Sequence, residues 1–103
     1  MTIKLIKSNE GITRKISDSY SVLNLLTASD SENISLAVSN AENHNGITKT
    51  SSDRVYYILE GELTVNNDLI AKKGDLVFVT AETEYNFKGS FKAILINSPA
   101  FQK

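Results

Sequence analysis

The chain has 103 residues, no cysteine, one histidine and a formal net charge of −1, with 41% hydrophobic and 22% charged residues. That length limits it to one domain with a single core, and the missing thiols exclude disulfides, zinc–thiolate centres and cysteine catalysis. The balanced charge supplies no field to draw in nucleic acid or an anionic membrane, so neither is expected as a partner.

The N-terminal MTIKLIKSNEG carries one short apolar alternation and lacks the apolar core of a secretory signal. No later stretch approaches a membrane span, and a cytoplasmic protein is expected. Ile3 with Leu5, and then residues 12–16, predict two short strands divided by the turn signal Ser8-Asn9-Glu10-Gly11. They would pack under a barrel or pair with a second subunit along an edge. YSVLNLLT at 20–27 suits a buried strand or a short helical segment, and strand is the reading adopted. Asp30-Ser31-Glu32-Asn33 predicts a hairpin turn into 34–39, where alternation puts Ile34, Leu36 and Val38 on one face and leaves the other half-polar. Residues 41–52 are polar and contain Gly46, which predicts a loop.

Val55, Tyr56, Tyr57, Ile58 and Leu59 form a β-branched and aromatic run that stops at Glu60-Gly61 and restarts at 63–65, predicting a strand, a tight break and a strand. Asn66-Asn67-Asp68 tolerates positive φ and should turn the chain into a short strand at 69–71. Lys73-Gly74-Asp75 turns it again into 76–80, and after a polar connector at 81–84 the segments 85–88 and 91–97 read as two further strands. Short strands punctuated by turn residues, with no long helical period, predict an all-β barrel or sandwich. The organisation expected is one domain over 1–103, with N-terminal strands in 1–30, a barrel core in 31–97 and a tail at 98–103 that holds the single proline, Pro99.

The stretch from 53 to 87 resembles the cupins, whose motifs are G-x5-H-x-H-x3/4-E-x6-G and G-x5-P-x-G-x2-H-x3-N. Gly61, within YYILEGEL, matches the last glycine of the first motif, and Gly74, within KKGDLVFV, the first glycine of the second. The resemblance implies a double-stranded β-helix, an antiparallel β-barrel of the jelly-roll kind, and a homodimer. It also implies four metal-ligand positions, which here hold Thr48, Thr50, Arg54 and Tyr85. In the longer register the histidine pair falls on Ile47 and Lys49 instead. Thr80, Glu82, Gly89 and Glu42 replace other motif residues. None of the four is a usual metal ligand, so the scaffold is matched and the metal site is degenerate. Neither a metal nor another cofactor is expected, and a metal-dependent dioxygenase is argued against. A one-residue bulge would bring Asp53 to the acid position, but it would also reverse the faces of the strand.

Arg54 places a permanent cation where the family's carboxylate stands. Beside Tyr56, Tyr85 and the hydroxyls of Thr48 and Thr50 it would hold a carboxylate or phosphate; paired with Asp53, Glu82 or Glu84 it would do nothing. Tyr56 and Ile58 share its parity, and Tyr85 and Phe87 share a face. These aromatics would line a cavity for an apolar or ring-shaped ligand, or simply fill the barrel. His44 reads as a loop histidine without a role; the alternative is that it folds back and transfers protons. The function expected is therefore non-metal binding of a small molecule, anionic or carbohydrate-like, in a pocket of Thr48, Thr50, Arg54, Tyr56, Tyr85 and Phe87. The enzyme alternative is a metal-independent isomerase or epimerase of a sugar or sugar nucleotide, with His44 and Tyr85 moving protons and Arg54 clamping the anion. A third reading is a structural or regulatory barrel with a filled interior.

Overall fold

The computed structural model describes residues 2–101. After a 3-10 turn at Ser8–Glu10 come seven strands: β1 (Ile12–Ser17), β2 (Tyr20–Leu26), β3 (Ser35–Thr48), β4 (Asp53–Val65), β5 (Leu69–Lys72), β6 (Leu76–Val79) and β7 (Tyr85–Ser98). Every pairing is antiparallel, in the order β1-β2-β3-β7-β4-β5, with β6 joined to β4. β7 pairs along its length with β3 on one side and β4 on the other, so three long strands curl the sheet into a barrel. No helix among the described residues is long and apolar enough to cross a membrane.

The turn chemistry accounts for the connections at 66–68 and 73–75. Asn66 and Asn67 take φ of 52° and 65°, and Gly74 takes 89°, the left-handed values that asparagine and glycine tolerate best. The predicted break at Glu60-Gly61 is absent, because β4 runs straight through it. Gly61, at φ 77°, lies one residue beyond the slip in the β4–β7 register between Ile58 and Glu60. A Cβ there would sit 2.1 Å from the Ser90 carbonyl oxygen, so the glycine serves a bulge and a close strand crossing, not a turn. Residues 85–88 and 91–97 are likewise one strand, bent at Gly89, whose Cβ would lie 2.3 Å from the Glu62 carbonyl oxygen.

Two more expectations are corrected, and one left open is decided. Ile3 and Leu5 form no strand and lie exposed. The polar segment predicted as a loop is strand as far as Thr48, because β7 offers it a complete hydrogen-bonding edge that outweighs weak intrinsic propensity. In β3 the half-polar face, Ser35, Ala37 and Ser39, is the buried one, and Leu36 and Val38 turn outward.

That inversion leaves two rows of apolar side chains across the outside of the sheet. The register aligns Val38, Ile94, Tyr57 and Leu76 in one row and Leu36, Ile96, Val55 and Phe78 in the next. Inside, Ile58, Leu63, Val65, Phe91 and Ala93 fill one end of the barrel. The other end is hollow.

Candidate functional site

Bulges decide what faces the hollow end. Along β7 every second residue from Tyr85 to Asn97 apart from Gly89 is buried, without a slip of parity. On β3 the register shifts between Ala41 and His44, around Asn43 at φ 50°. The inward set therefore changes from the buried Ser35, Ala37 and Ser39 to the even positions, the half-buried His44, Gly46 and Thr48. β4 carries Arg54, Tyr56 and Ile58 inward before its own bulge. Asp53, opposite in parity, is exposed and accepts a hydrogen bond from the Ala81 N–H at 2.8 Å.

The cavity measures about 540 Å³. Its wall includes Tyr20 and Val22 from β2, His44 and Thr48 from β3, Arg54 from β4, Phe87, Leu95 and Asn97 from β7, and Phe101 from the tail; Ile12, Arg14 and Ile16 of β1 stand at the rim. A filled-barrel reading required no such space. No aspartate or glutamate is among the described wall residues, whereas two guanidinium groups are.

Arg54 is 7% exposed. Its Nε donates to Asn97 Oδ1 at 2.8 Å and its Nη1 donates to Tyr85 Oη at 3.2 Å, with Tyr56 Oη more distant at 3.5 Å. The two phenol oxygens are 2.6 Å apart. No ion pair with Asp53, Glu82 or Glu84 forms, and Nη2 has no partner among the described residues. The guanidinium carbon lies 5.7 Å from the centroid of the Phe101 ring, a cation–π contact on the cavity side. Burial works against the charge of Arg54, yet Tyr56 and Tyr85 together outweigh it and the net shift of its pKa is upward. Burial first, then the neighbouring phenols Tyr85 and Tyr20, hold the Tyr56 hydroxyl well above its usual range, with Arg54 opposing. Tyr56 is thus a neutral hydrogen-bonding support and no base.

Of the residues predicted from sequence, Thr48, Arg54 and Phe87 stand in the cavity wall. Tyr56 and Tyr85 do not; they lie behind Arg54, buried, and position it. Thr50 lies outside the wall, its hydroxyl donating to the Ser52 carbonyl at 3.0 Å. His44 is corrected from loop to strand, and its ring is in the wall. It stacks on Tyr20 at 4.9 Å between centroids with 24° between planes, and packs tilted against Phe87 at 4.9 Å. Ser19 Oγ lies 2.8 Å from Nδ1. Gly46 makes room for the ring, since a Cβ there would meet Nε2 at 2.8 Å. Sequence reasoning missed Tyr20, Asn97 and Arg14. Asn97 had a usable signal, its shared parity with Leu95 and Ala93, but its pairing opposite Arg54 is a matter of register.

The residues at the four motif positions do not fit a divalent cation. Arg54 is a permanent charge of the wrong sign, the two threonines are neutral, and Tyr85 Oη is already engaged. The only imidazole of the chain, His44, has no carboxylate beside it in the described wall.

Burial lowers the pKa of His44 below its usual 6.5. The folded protein therefore holds the imidazole neutral where the unfolded chain would protonate it, and stability falls as pH drops from the unfolded value through the folded one. We expect wild type to lose melting temperature relative to His44→Gln over that acid window and to match its trend above pH 7. Parallel melting curves at all pH values would refute the burial of a neutral ring.

The fold is a cupin-like β-barrel. No family model matches the chain, and no curated protein matches it. Solved structures do. KdgF from Halomonas sp. aligns with a TM-score of 0.79 at 11% identity, over 98% of this chain and 97% of that one. Pac13 of Streptomyces, a nucleoside dehydratase, aligns with a TM-score of 0.78 at 18% identity, over 98% and 86%. Ethanolamine utilization protein Q of Salmonella typhimurium LT2 aligns with a TM-score of 0.72 at 24% identity, over 80% and 71%. At these identities the likeness establishes the barrel alone.

Proposed function

We propose that the chain binds a small organic anion with an apolar or ring-shaped body, without a metal. One observation carries the reading: Arg54 is buried, braced from behind by Asn97 and Tyr85, and presents an unpartnered Nη2 at a cavity wall that holds no described carboxylate. A buried cation without a counter-ion is expensive, and a ligand carboxylate or phosphate would offset that cost through charge-assisted hydrogen bonds. Val22, Leu95 and the rings of Tyr20, Phe87 and Phe101 suit the apolar body.

The test is calorimetric titration with a small aromatic carboxylate, its uncharged primary amide and inorganic phosphate. The carboxylate is expected to bind at least ~10-fold more tightly than the amide, the value of one charge-assisted hydrogen bond. Equal affinities would remove Arg54 as an anion clamp.

A second reading, proton-transfer catalysis on the bound anion, is favoured by His44. The ring shares the cavity with Arg54, is oriented by Ser19 and by its stack on Tyr20, and has an Nε2 without a hydrogen-bond partner among the described residues. Its lowered pKa keeps it neutral, as a general base requires. Pac13, of the same fold, is a nucleoside dehydratase whose variants hold uridine, which supports small-molecule chemistry in such a barrel. A metal-independent isomerisation, epimerisation or dehydration is the reaction class that fits. Tyr85, buried behind Arg54, then acts as a positioning residue and not as the proton carrier.

A further inference from the structure

Arg14 is a second cation on the cavity, and the anion site at Arg54 makes no use of it. β1 ends the sheet and pairs only with β2. Arg14 stands directly opposite Val22, which is buried in the cavity wall, so the two side chains share the inner face. Alternation puts Ile12 and Ile16 beside it on that face, 69% and 49% exposed, and Thr13 and Lys15 on the outer one. The fold treats the two cations of this strand differently. Lys15 is matched by Asp18 at 3.2 Å, whereas Arg14 has no ion pair among the described residues and faces a wall without a described carboxylate. Every residue of β1 is exposed, so Arg14 fills no core.

The register keeps the two guanidinium groups in separate places. From Arg14 the row of directly opposite residues runs through Val22 and Ser39 to Ala93 on β7, whereas Arg54 meets β7 at Asn97. Those crossing points lie about 13 Å apart along the strand at ~3.4 Å per residue. Arg54 is pinned by Asn97 and Tyr85, and Arg14 stands exposed at the rim. One small anion is therefore not shared between them.

We propose, resting on the anion-binding reading above, that the ligand is a dianion with its charged groups at opposite ends of a ring-shaped body, the first held by Arg54 and the second by Arg14. The arginine stem lies along Ile12 and Ile16, and its fork pairs with the second anionic group. The bound ligand covers these isoleucines as well, which takes the pair out of bulk water and makes it worth more than an ordinary surface ion pair.

The probes are terephthalate and its half-amide, terephthalamate, which share a shape and differ by a single charge. Calorimetric titration at low ionic strength is expected to show wild type binding terephthalate ~10-fold more tightly, well beyond the statistical gain of two equivalent ends. Arg14→Gln should reduce that ratio to the statistical value, and Arg14→Glu should invert it. Both substitutions fall on a strand exposed throughout, so the barrel stays folded. Lys15→Gln removes the same charge from the outer face and should leave the ratio as in wild type. A wild-type ratio no larger than the statistical one, with terephthalamate still bound through Arg54, overturns the second subsite and leaves the anion reading standing. A terephthalamate affinity that Arg54→Met does not lower removes the anion reading and the dianion with it. A ratio that Arg14→Glu fails to invert, or that Lys15→Gln lowers as much as Arg14→Gln, assigns the preference to the general field of the protein and overturns the role of Arg14.

Discussion

Replacing Arg54 by methionine is expected to abolish anion binding while leaving the barrel folded. Methionine has a similar reach and fills the same channel between Asn97 and Tyr85, so little packing is lost. The change removes a buried cation whose described hydrogen-bond partners are all neutral, and with it the desolvation cost of that charge. Asn97 Oδ1 loses its donor, a penalty of about 1–3 kcal/mol. The Tyr56 and Tyr85 hydroxyls still satisfy each other. These opposing terms leave stability within ~2 kcal/mol of wild type. Binding has no such compensation, because the ligand loses its charge-assisted contact, and affinity for the carboxylate should fall about 100-fold or more. Thermal melts and titrations on the same preparation separate the two effects. A variant that binds the carboxylate like wild type would show that the guanidinium is no anion clamp.

The largest effect on stability is expected at Gly61. Alanine there meets two obstacles at once, a φ of 77° that L-residues resist and a backbone oxygen of Ser90 at 2.1 Å from the new Cβ. The obstructing atom is main chain, in the strand that holds the barrel together, so relief means moving β7 away from β4. We expect Gly61→Ala to cost about 3–5 kcal/mol, a large fraction of the ~5–15 kcal/mol that holds a domain folded. Gly74→Ala is the informative comparison. Its φ of 89° is equally unfavourable, but an added Cβ would meet nothing within 4 Å, so its cost should be the ~1–2 kcal/mol of backbone strain alone. Urea denaturation of both variants measures the difference. Equal losses would mean that the strand crossing at Gly61 opens without cost.

The strands at 55–58, 69–71 and 76–79 were legible because β-branched and aromatic residues alternate between turn residues, and such patterns carry local information. The inward set Arg54, Tyr56 and Ile58 followed from the same parity. The strand through His44 was not legible, since Glu42, Asn43, His44 and Asn45 have weak strand propensity and are held by β7, which lies far away in sequence. The apolar outer rows were not legible for a related reason. Alternation states that Leu36 and Val38 share a face, and it is silent on which face turns to the core.

The sequence by itself determined the all-β class, the turns at the asparagine pair and Gly74, the absence of thiol chemistry and the unsuitability of Thr48, Thr50, Arg54 and Tyr85 as metal ligands. Each of these depends on residue chemistry or on neighbours close along the chain. Only the tertiary structure decided that Tyr85 braces Arg54 from behind, that Asn97 and Tyr20 belong to the site and that His44 faces the cavity. Those outcomes depend on cross-strand register, and register here is set by bulges in β3 and β4 that shift parity by one residue and exchange the two faces of a strand.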